Sequence, residues 1–272
     1  MPALVAEPGM PIWLDLATTD LAAASEFYGV LFDWEFEEEN EGYAVAKRSG
    51  MPVAGIGQIP DGASSVWGML LYAPQLETVH NNAVKAGATS ALDPRDLGKR
   101  GMMSVLVDPS GATVGLKKPA DEQAFFAAGE PGTPVWHELM VGKNWDSALK
   151  FYHELSGWDI KQMSDTEEFR YATGEWEGNP LVGLWDTSKL EDQPSMWTLY
   201  MGVLDVDKAV TQVETLGGTV VRSPWESEFG RMLTIQDPAG ALLNLAEIPE
   251  YTPEMDEAHE PDLFAPEDSQ PN

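Results

Sequence analysis

No cysteine occurs in this chain, which excludes disulfides, thiolate metal sites and a cysteine nucleophile while leaving the compartment open. Basic residues are scarce. Sixteen Lys and Arg stand against 45 Asp and Glu, a formal net charge of −29. A chain of that sign repels polyanions, and no Lys/Arg stripe is present, so nucleic acid and anionic membrane are excluded as expected partners. The plain reading of the acidic excess is solubility, as in a salty cytoplasm, rather than an acidic binding face. There is no run of about 18 apolar residues, the length a membrane span needs. The opening MPALVAEPGMP lacks the basic start and apolar centre of a secretory signal, so a cytoplasmic location is expected. Also missing are a phosphate loop, a Ser-His-Asp arrangement and an HExxH motif.

What is present is enough for two cores. The length of 272 residues, with 43% hydrophobic and 10% aromatic content, suits two domains of ordinary size. Self-similarity divides them. Trp13 recurs as Trp136, Phe27-Tyr28 as Phe151-Tyr152 and Trp34 as Trp158, at offsets of 123 to 124. Tyr43-Ala44 recurs as Tyr171-Ala172, Trp67 as Trp197, and the turn Asp108-Pro109-Ser110-Gly111 as Asp237-Pro238-Ala239-Gly240. The drift of the offset is what short loop insertions produce. The expected boundaries are a first domain over 9–118, a linker over 119–133, a second domain over 134–250 and an acidic tail over 251–272. From Glu250 onward there are eight acidic residues, four prolines and no Lys or Arg, which reads as a solvated tail or a surface strap.

Within each copy the elements alternate. In IWLDLAT, Ile12, Leu14 and Leu16 share one strand face and Trp13, Asp15 and Ala17 the other. Asp20 precedes LAAASEFYGVLF, whose Leu21, Ala24, Phe27, Tyr28 and Leu31 fall at helical spacing. A hairpin follows around Ser49-Gly50, then the strand WGMLLYA, a helix ended by Gly87, the strand MMSVLV, the Asp-Pro-Ser-Gly turn and the strand ATVGLK. Two β-α-β-β-β units per copy are the expectation, giving an α+β fold.

The motif D-x-x-x-A-x-x-F-Y-x-x-L-F-x-W over Asp20–Trp34, with the late D-P-x-G turn and its strand, resembles the vicinal-oxygen-chelate superfamily. That superfamily includes glyoxalase I, bleomycin-resistance proteins and extradiol dioxygenases. The openings Trp13-Leu14-Asp15-Leu16 and Trp136-His137-Glu138-Leu139, with Asp108–Leu116, are similar to its two-domain branch, represented by a mycobacterial culture-filtrate antigen. The resemblance spans nearly all of 11–250. It implies two tandem domains, each a cupped eight-stranded sheet around a ligand cavity. It also implies metal ligands, His or Glu, on the first, fourth, fifth and eighth strands, because a divalent ion needs several converging lone pairs.

Laid on this chain, those positions carry other residues. They fall on Trp13 and Trp136, on Val53–Ile56 and Leu181–Leu184, on Gly68 and Thr198, and on Gly115 and Asn244. No metal and no other cofactor is therefore expected. The slot in the second copy stays Trp136 if the extra residue lies in the GKNW loop; placed earlier, the insertion would bring His137 there. His80 and His153 belong to helices and His259 to the tail, and His137 alternates away from Trp136 and Glu138. A lone His at such a place is more often a packing residue than a ligand.

Two pairs remain in the cups, Trp13 with Asp15 and Trp136 with Glu138, each on one face by period two. An indole stacks on a planar molecule, and a carboxylate against it, kept from water, has its charged form disfavoured and can move a proton. Asp15 and Glu138 are thus the candidate acid-base groups. Trp13, Trp136, Thr198, Tyr200, Asn244 and the rim residue Arg231 are candidate contacts to a small-molecule ligand. The plainer alternatives are that the indoles fill the cups, that the acids anchor backbone N–H groups or an Arg, and that Arg231 offsets Glu226 and Glu228. Tyr43 and Tyr171 fit cavity lining or packing. Trp34, Trp67, Trp158 and Trp197 are expected to pack sheet against helix, as are the Phe-Tyr pairs, and the Asp-Pro-x-Gly turns carry no expected chemistry.

Three functions are open: metal-independent binding of an aromatic or carbonyl-bearing molecule; a cofactor-free isomerase, lyase or hydrolase using Asp15 or Glu138; and a degenerate scaffold for a protein partner. Fusion of two copies makes a monomer plausible and leaves a homodimer possible.

Overall fold

The computed structural model describes residues 4–120, 125–126, 128–227 and 230–249; the expectation for the tail over 251–272 lies outside them. In the first copy, β1 (Pro11–Thr18) is followed by α1 (Leu21–Phe32), β2 (Glu35–Asn40), β3 (Tyr43–Arg48) and β4 (Met51–Gln58). A second unit follows, β5 (Val66–Tyr72), α2 (Leu76–Lys85), β6 (Thr89–Asp96), β7 (Met102–Val107) and β8 (Thr113–Lys118). The second copy repeats this with β9 (Pro134–Val141), α3 (Trp145–Ser156), β10 (Asp159–Asp165), β11 (Arg170–Trp176) and β12 (Asn179–Asp186). It ends with β13 (Met196–Val203), α4 (Val206–Thr215), β14 (Thr219–Ser227), β15 (Gly230–Gln236) and β16 (Leu242–Glu247).

Each copy forms one mixed eight-stranded sheet. The strand orders are β2-β3-β4-β1-β5-β8-β7-β6 and β10-β11-β12-β9-β13-β16-β15-β14. The two β-α-β-β-β units of a copy meet where their first strands pair antiparallel, at Asp15↔Gly68 and Glu138↔Thr198. The local signals act as written in the sequence. Asp20 caps α1 by accepting from the Ala23 N–H at 2.9 Å, and Ser49 and Gly50, both at positive φ, turn the β3–β4 hairpin. Leu14, Leu16, Phe27, Tyr28 and Trp34 lie in one core cluster with Leu139, Phe151, Tyr152, Trp158 and Trp197, so both copies share a continuous apolar interior. Among the described residues no helix is long and apolar enough to cross a membrane.

The copies trade partners symmetrically. Helix α1 packs on α4, and α2 on α3. The Tyr28 hydroxyl donates to Asp237 Oδ2 at 3.0 Å, and that of Tyr152 to Asp108 Oδ2 at 2.9 Å. Each Asp-Pro-x-Gly turn, expected only to reverse the chain, therefore also receives the other copy's helix. The Trp34 indole donates to the Gly132 carbonyl at 2.8 Å, and Trp158 to that of Gly9 at 3.1 Å. Gly9 and Gly132 each precede the first strand of a copy at positive φ. A Cβ on Gly9 would lie 2.0 Å from the Ser156 carbonyl oxygen, and one on Gly132 2.7 Å from that of Phe32. Only glycine admits both that backbone and that approach.

Candidate functional site

The strand alternation predicted for IWLDLAT places Asp15 on the face of the first sheet away from α1. Its neighbours on either side are Gly55 of β4 and Gly68 of β5. The missing side chains make room. A Cβ on Gly55 would fall 1.9 Å from the Tyr43 hydroxyl and 2.1 Å from Asp15 Oδ1, whereas one on Gly68 would meet only the Asp15 carbonyl, at 3.7 Å. Space beside the acid is therefore filled by tyrosine on the β4 side and open on the β5 side.

Into this room converge the Trp13 indole, donating to Asp15 Oδ1 at 2.9 Å, and the Tyr43 hydroxyl, donating to the same oxygen at 2.7 Å. Burial raises the Asp15 pKa, while the Lys117 charge and the two donors oppose that shift. Burial likewise raises the Tyr43 pKa, with Asp15 adding to it. Two cations complete the cup. Lys117 Nζ lies 5.0 Å from the centroid of the Trp13 ring, and the Arg100 guanidinium 3.9 Å from that of Tyr43. Arg100 is also 3.5 Å from Glu39. Lys117 has its pKa lowered by burial, against the pull of Asp15.

The second cup repeats the acid and the tyrosine. Glu138 faces Gly183 and Thr198. Tyr171 donates to Glu138 Oε2 at 3.2 Å and Tyr200 to Oε1 at 3.5 Å. A Cβ on Gly183 would fall 2.1 Å from the Tyr171 hydroxyl and 3.1 Å from Trp136 Nε1. Burial raises the Glu138 pKa, the two tyrosines opposing it. Thr198 donates to the Glu138 carbonyl at 3.2 Å, and Asn244 accepts from Thr234 at 2.7 Å.

Of the predicted site residues, Trp13 with Asp15 and Trp136, Glu138, Thr198, Tyr200 with Asn244 gather in their cups. Arg231 does not. It forms a two-pronged ion pair with Asp207 of α4, on the helix side of the sheet, with Glu226 at 3.6 Å. The Arg231 partner Glu226 was among the acids anticipated for it. The acids are anchored by phenols and an indole, rather than by backbone N–H groups or an Arg. Sequence reading missed Lys117 and Arg100; the available signal was a lysine two residues beyond Gly115 on the last cup strand, where the second copy has Ala246.

His137 keeps the parity expected of it. It lines a cleft of about 200 Å³ between the copies, with Trp13, Trp136, Pro52, Pro180 and Leu181. Burial pulls its pKa down to about 4, and its Nδ1 is buried without a hydrogen-bond partner.

The side chains do not fit the divalent ion that the fold implies. In register with each acid stand Gly55, Gly68 and, one pair further, Gly115, or Gly183, Thr198 and Asn244. Among the described residues no three His, Asp or Glu side chains come together. The first-strand acid of each cup is already engaged by aromatic donors, and the positions in register with it add no carboxylate or imidazole, which leaves too few lone pairs for such an ion.

Family models match both halves. Residues 12–116 match a glyoxalase-like domain, and residues 136–245 match the glyoxalase/bleomycin resistance protein/dioxygenase superfamily. CFP32 of Mycobacterium tuberculosis, provisionally named a glyoxylase, is 30% identical over 247 residues, covering 87% of this chain and 94% of that protein. The anthracycline biosynthesis protein DnrV of Streptomyces peucetius is 26% identical, covering 90% and 96%. The fold is also that of a Mn(II)-bound glyoxalase from Novosphingobium aromaticivorans, with a TM-score of 0.62 at 14% identity over 92% of this chain and 89% of that one.

Proposed function

The chain belongs to the glyoxalase/bleomycin resistance protein/dioxygenase superfamily, and from that premise we propose that it binds a small, flat, aromatic or carbonyl-bearing molecule in its cups without a metal. The observation that carries this reading is the floor of the first cup, where the half-buried Asp15 is held by indole and phenol donors beside open space above Gly68. Aromatic walls supply contact area and one polar centre fixes orientation, the usual composition of a small-molecule site. A relative named for anthracycline biosynthesis is in keeping with such a guest. The expected domains, 9–118 and 134–250 joined by 119–133, supply one cup each.

The test is a titration of tryptophan fluorescence with small aromatic aldehydes and ketones, alongside metal analysis of purified protein. The expected result is saturable quenching that is lost in Trp13→Phe and in Gly68→Leu, with no stoichiometric metal. Stoichiometric Mn, Fe, Ni or Zn whose removal abolishes binding would overturn the metal-free reading.

A second reading rests on the raised pKa of Asp15 and Glu138. Such groups hold a proton to higher pH than an exposed carboxyl and suit general acid-base work, which makes a cofactor-free isomerase, lyase or hydrolase the rival. Turnover abolished by Asp15→Asn or Glu138→Gln with quenching retained would favour it.

A further inference from the structure

Lys117 stands apart from the other nine lysines of the chain. It is half-buried on the cup face of β8, in register with Tyr72 and Met103, and its Nζ sits above the Trp13 ring. Among the described residues it forms no ion pair. The charged and titratable groups that face it are Asp15 of β1, Glu39 of β2 and Arg100 of the turn after β6, with Tyr43 beside Asp15. An amine that is removed from water and set near a second cation loses its proton more readily, and the free amine is a nucleophile. Asp15, whose proton is held more firmly than that of an exposed carboxyl, stands across the cup as a proton source. The space above Gly68 lies on the same face.

The geometry points to Lys117 as an amine nucleophile that captures the carbonyl carbon of a guest aldehyde or ketone in the first cup as an imine. This rests on the reading of that cup as the guest's site. The Nζ lone pair forms the C–N bond, and one of the protons on the now cationic nitrogen passes to the carbonyl oxygen, giving a neutral carbinolamine. A proton delivered to its hydroxyl, with Asp15 as donor, lets the C–O bond break, and the oxygen leaves as water. The product is a protonated imine, and no oxidant or reductant is consumed. The second cup has Ala246 at the equivalent position and performs no such capture.

The experiment uses the full chain at pH 7 with benzaldehyde and cyanoborohydride, which delivers hydride to the imine and fixes it as a benzylamine; peptide mapping then locates the label. Benzyl alcohol, which cannot form an imine, reports binding alone through tryptophan quenching. The expected result is quenching by both compounds and labelling of Lys117 at least about tenfold faster than of exposed lysines such as Lys85 and Lys150. Lys117→Arg abolishes that label. Quenching by both compounds with label spread over exposed lysines and none at Lys117 overturns the imine and leaves the binding reading standing. Absence of quenching by either compound, together with no label at Lys117, overturns both.

Discussion

In the first cup Asp15 shares its face with Gly68, Leu70, Gly115 and Lys117; at the same register in the second, Glu138 shares its face with Thr198, Tyr200, Asn244 and Ala246. The acid, the glycine on the fourth strand and the tyrosine that reaches over it are kept in both. The helix-facing residues are also kept, Trp67 with Trp197 and Tyr28 with Tyr152, each indole donating to its tyrosine hydroxyl. The cup face thus differs in several residues, while the helix-facing side differs at Leu14, which becomes His137 in the second copy. The first cup has gained a lysine over its indole beside an Arg–Glu pair, while the second is lined with hydroxyls and an amide and has Arg222 near Tyr200. Packing constrains one face of each sheet, and the other is left free to acquire separate chemistry.

The shared part can be broken first, with the largest effect. Tyr28→Phe removes the donor to Asp237 Oδ2 and the acceptor for Trp67 Nε1 at 2.9 Å. Losing a hydrogen bond to a buried carboxylate and stranding an indole N–H costs about 3 kcal/mol. In a protein of this size that lowers the melting temperature by roughly 5 °C. Tyr152→Phe severs the counterpart, but Asp108 Oδ1 still accepts from Ser110, Gly111 and Ala112, whereas Asp237 keeps the N–H groups of Ala239 and Ala241. Calorimetry is expected to show Tyr28→Phe as the more damaging of the two. Equal and negligible losses would mean that the copies are not interlocked through these turns.

How much of this was written in the sequence varies with the range of the interaction. The limits of α1, the Ser49-Gly50 hairpin and the pairing of Trp13 with Asp15 on one face all follow from local spacing and residue type. The strand Glu35–Asn40, EFEEEN, was not legible as such. It has no apolar alternation and pairs at the sheet's edge with β3, so its partner rather than its composition makes it a strand. Tyr28 and Tyr152 were readable as helix core, but no local signal says that the acid each one meets belongs to the other copy. Arg231 was placed near a rim by position; its parity and the acid on α4 turn it the other way. Lys117 ends an amphipathic strand and reads as a solvated charge until the fold sets it against Trp13.

An asymmetry at the domain junction gives the next effect. The first copy has Leu14, 2% exposed, where the second has His137. With its folded pKa pulled down from 6.5 to about 4, neutral His137 contributes stability that is fully present above pH 6.5. The contribution is lost as pH falls toward 4, because the unfolded chain takes up the proton first. The loss amounts to about 3 kcal/mol at low pH. Denaturant midpoints measured at pH 7 and pH 4.5 should draw closer together in His137→Leu than in the parent. An unchanged gap would place the acid sensitivity elsewhere.

The smallest effect separates the cups themselves. Asp15 and Glu138 both have raised pKa values, so each folded carboxyl keeps its proton to a higher pH than the unfolded one. Their contribution to stability is present at low pH and lost as pH rises through the folded pKa. An amide isostere therefore gains on the carboxylate as pH rises. In the second cup, among the described residues, no cation pairs with Glu138, and Glu138→Gln should stabilise at pH 7. In the first, Asp15 also offsets Lys117, and removing its charge leaves that ammonium opposed chiefly by Glu39. The gain of Asp15→Asn should be cancelled or reversed, and Asp15→Asn combined with Lys117→Met should restore it. Paired denaturation curves at pH 4 and pH 7 measure both. If the two single variants behave alike at pH 7, the charge difference between the cups has no energetic consequence, and Lys117 is not the amine that Asp15 holds in place.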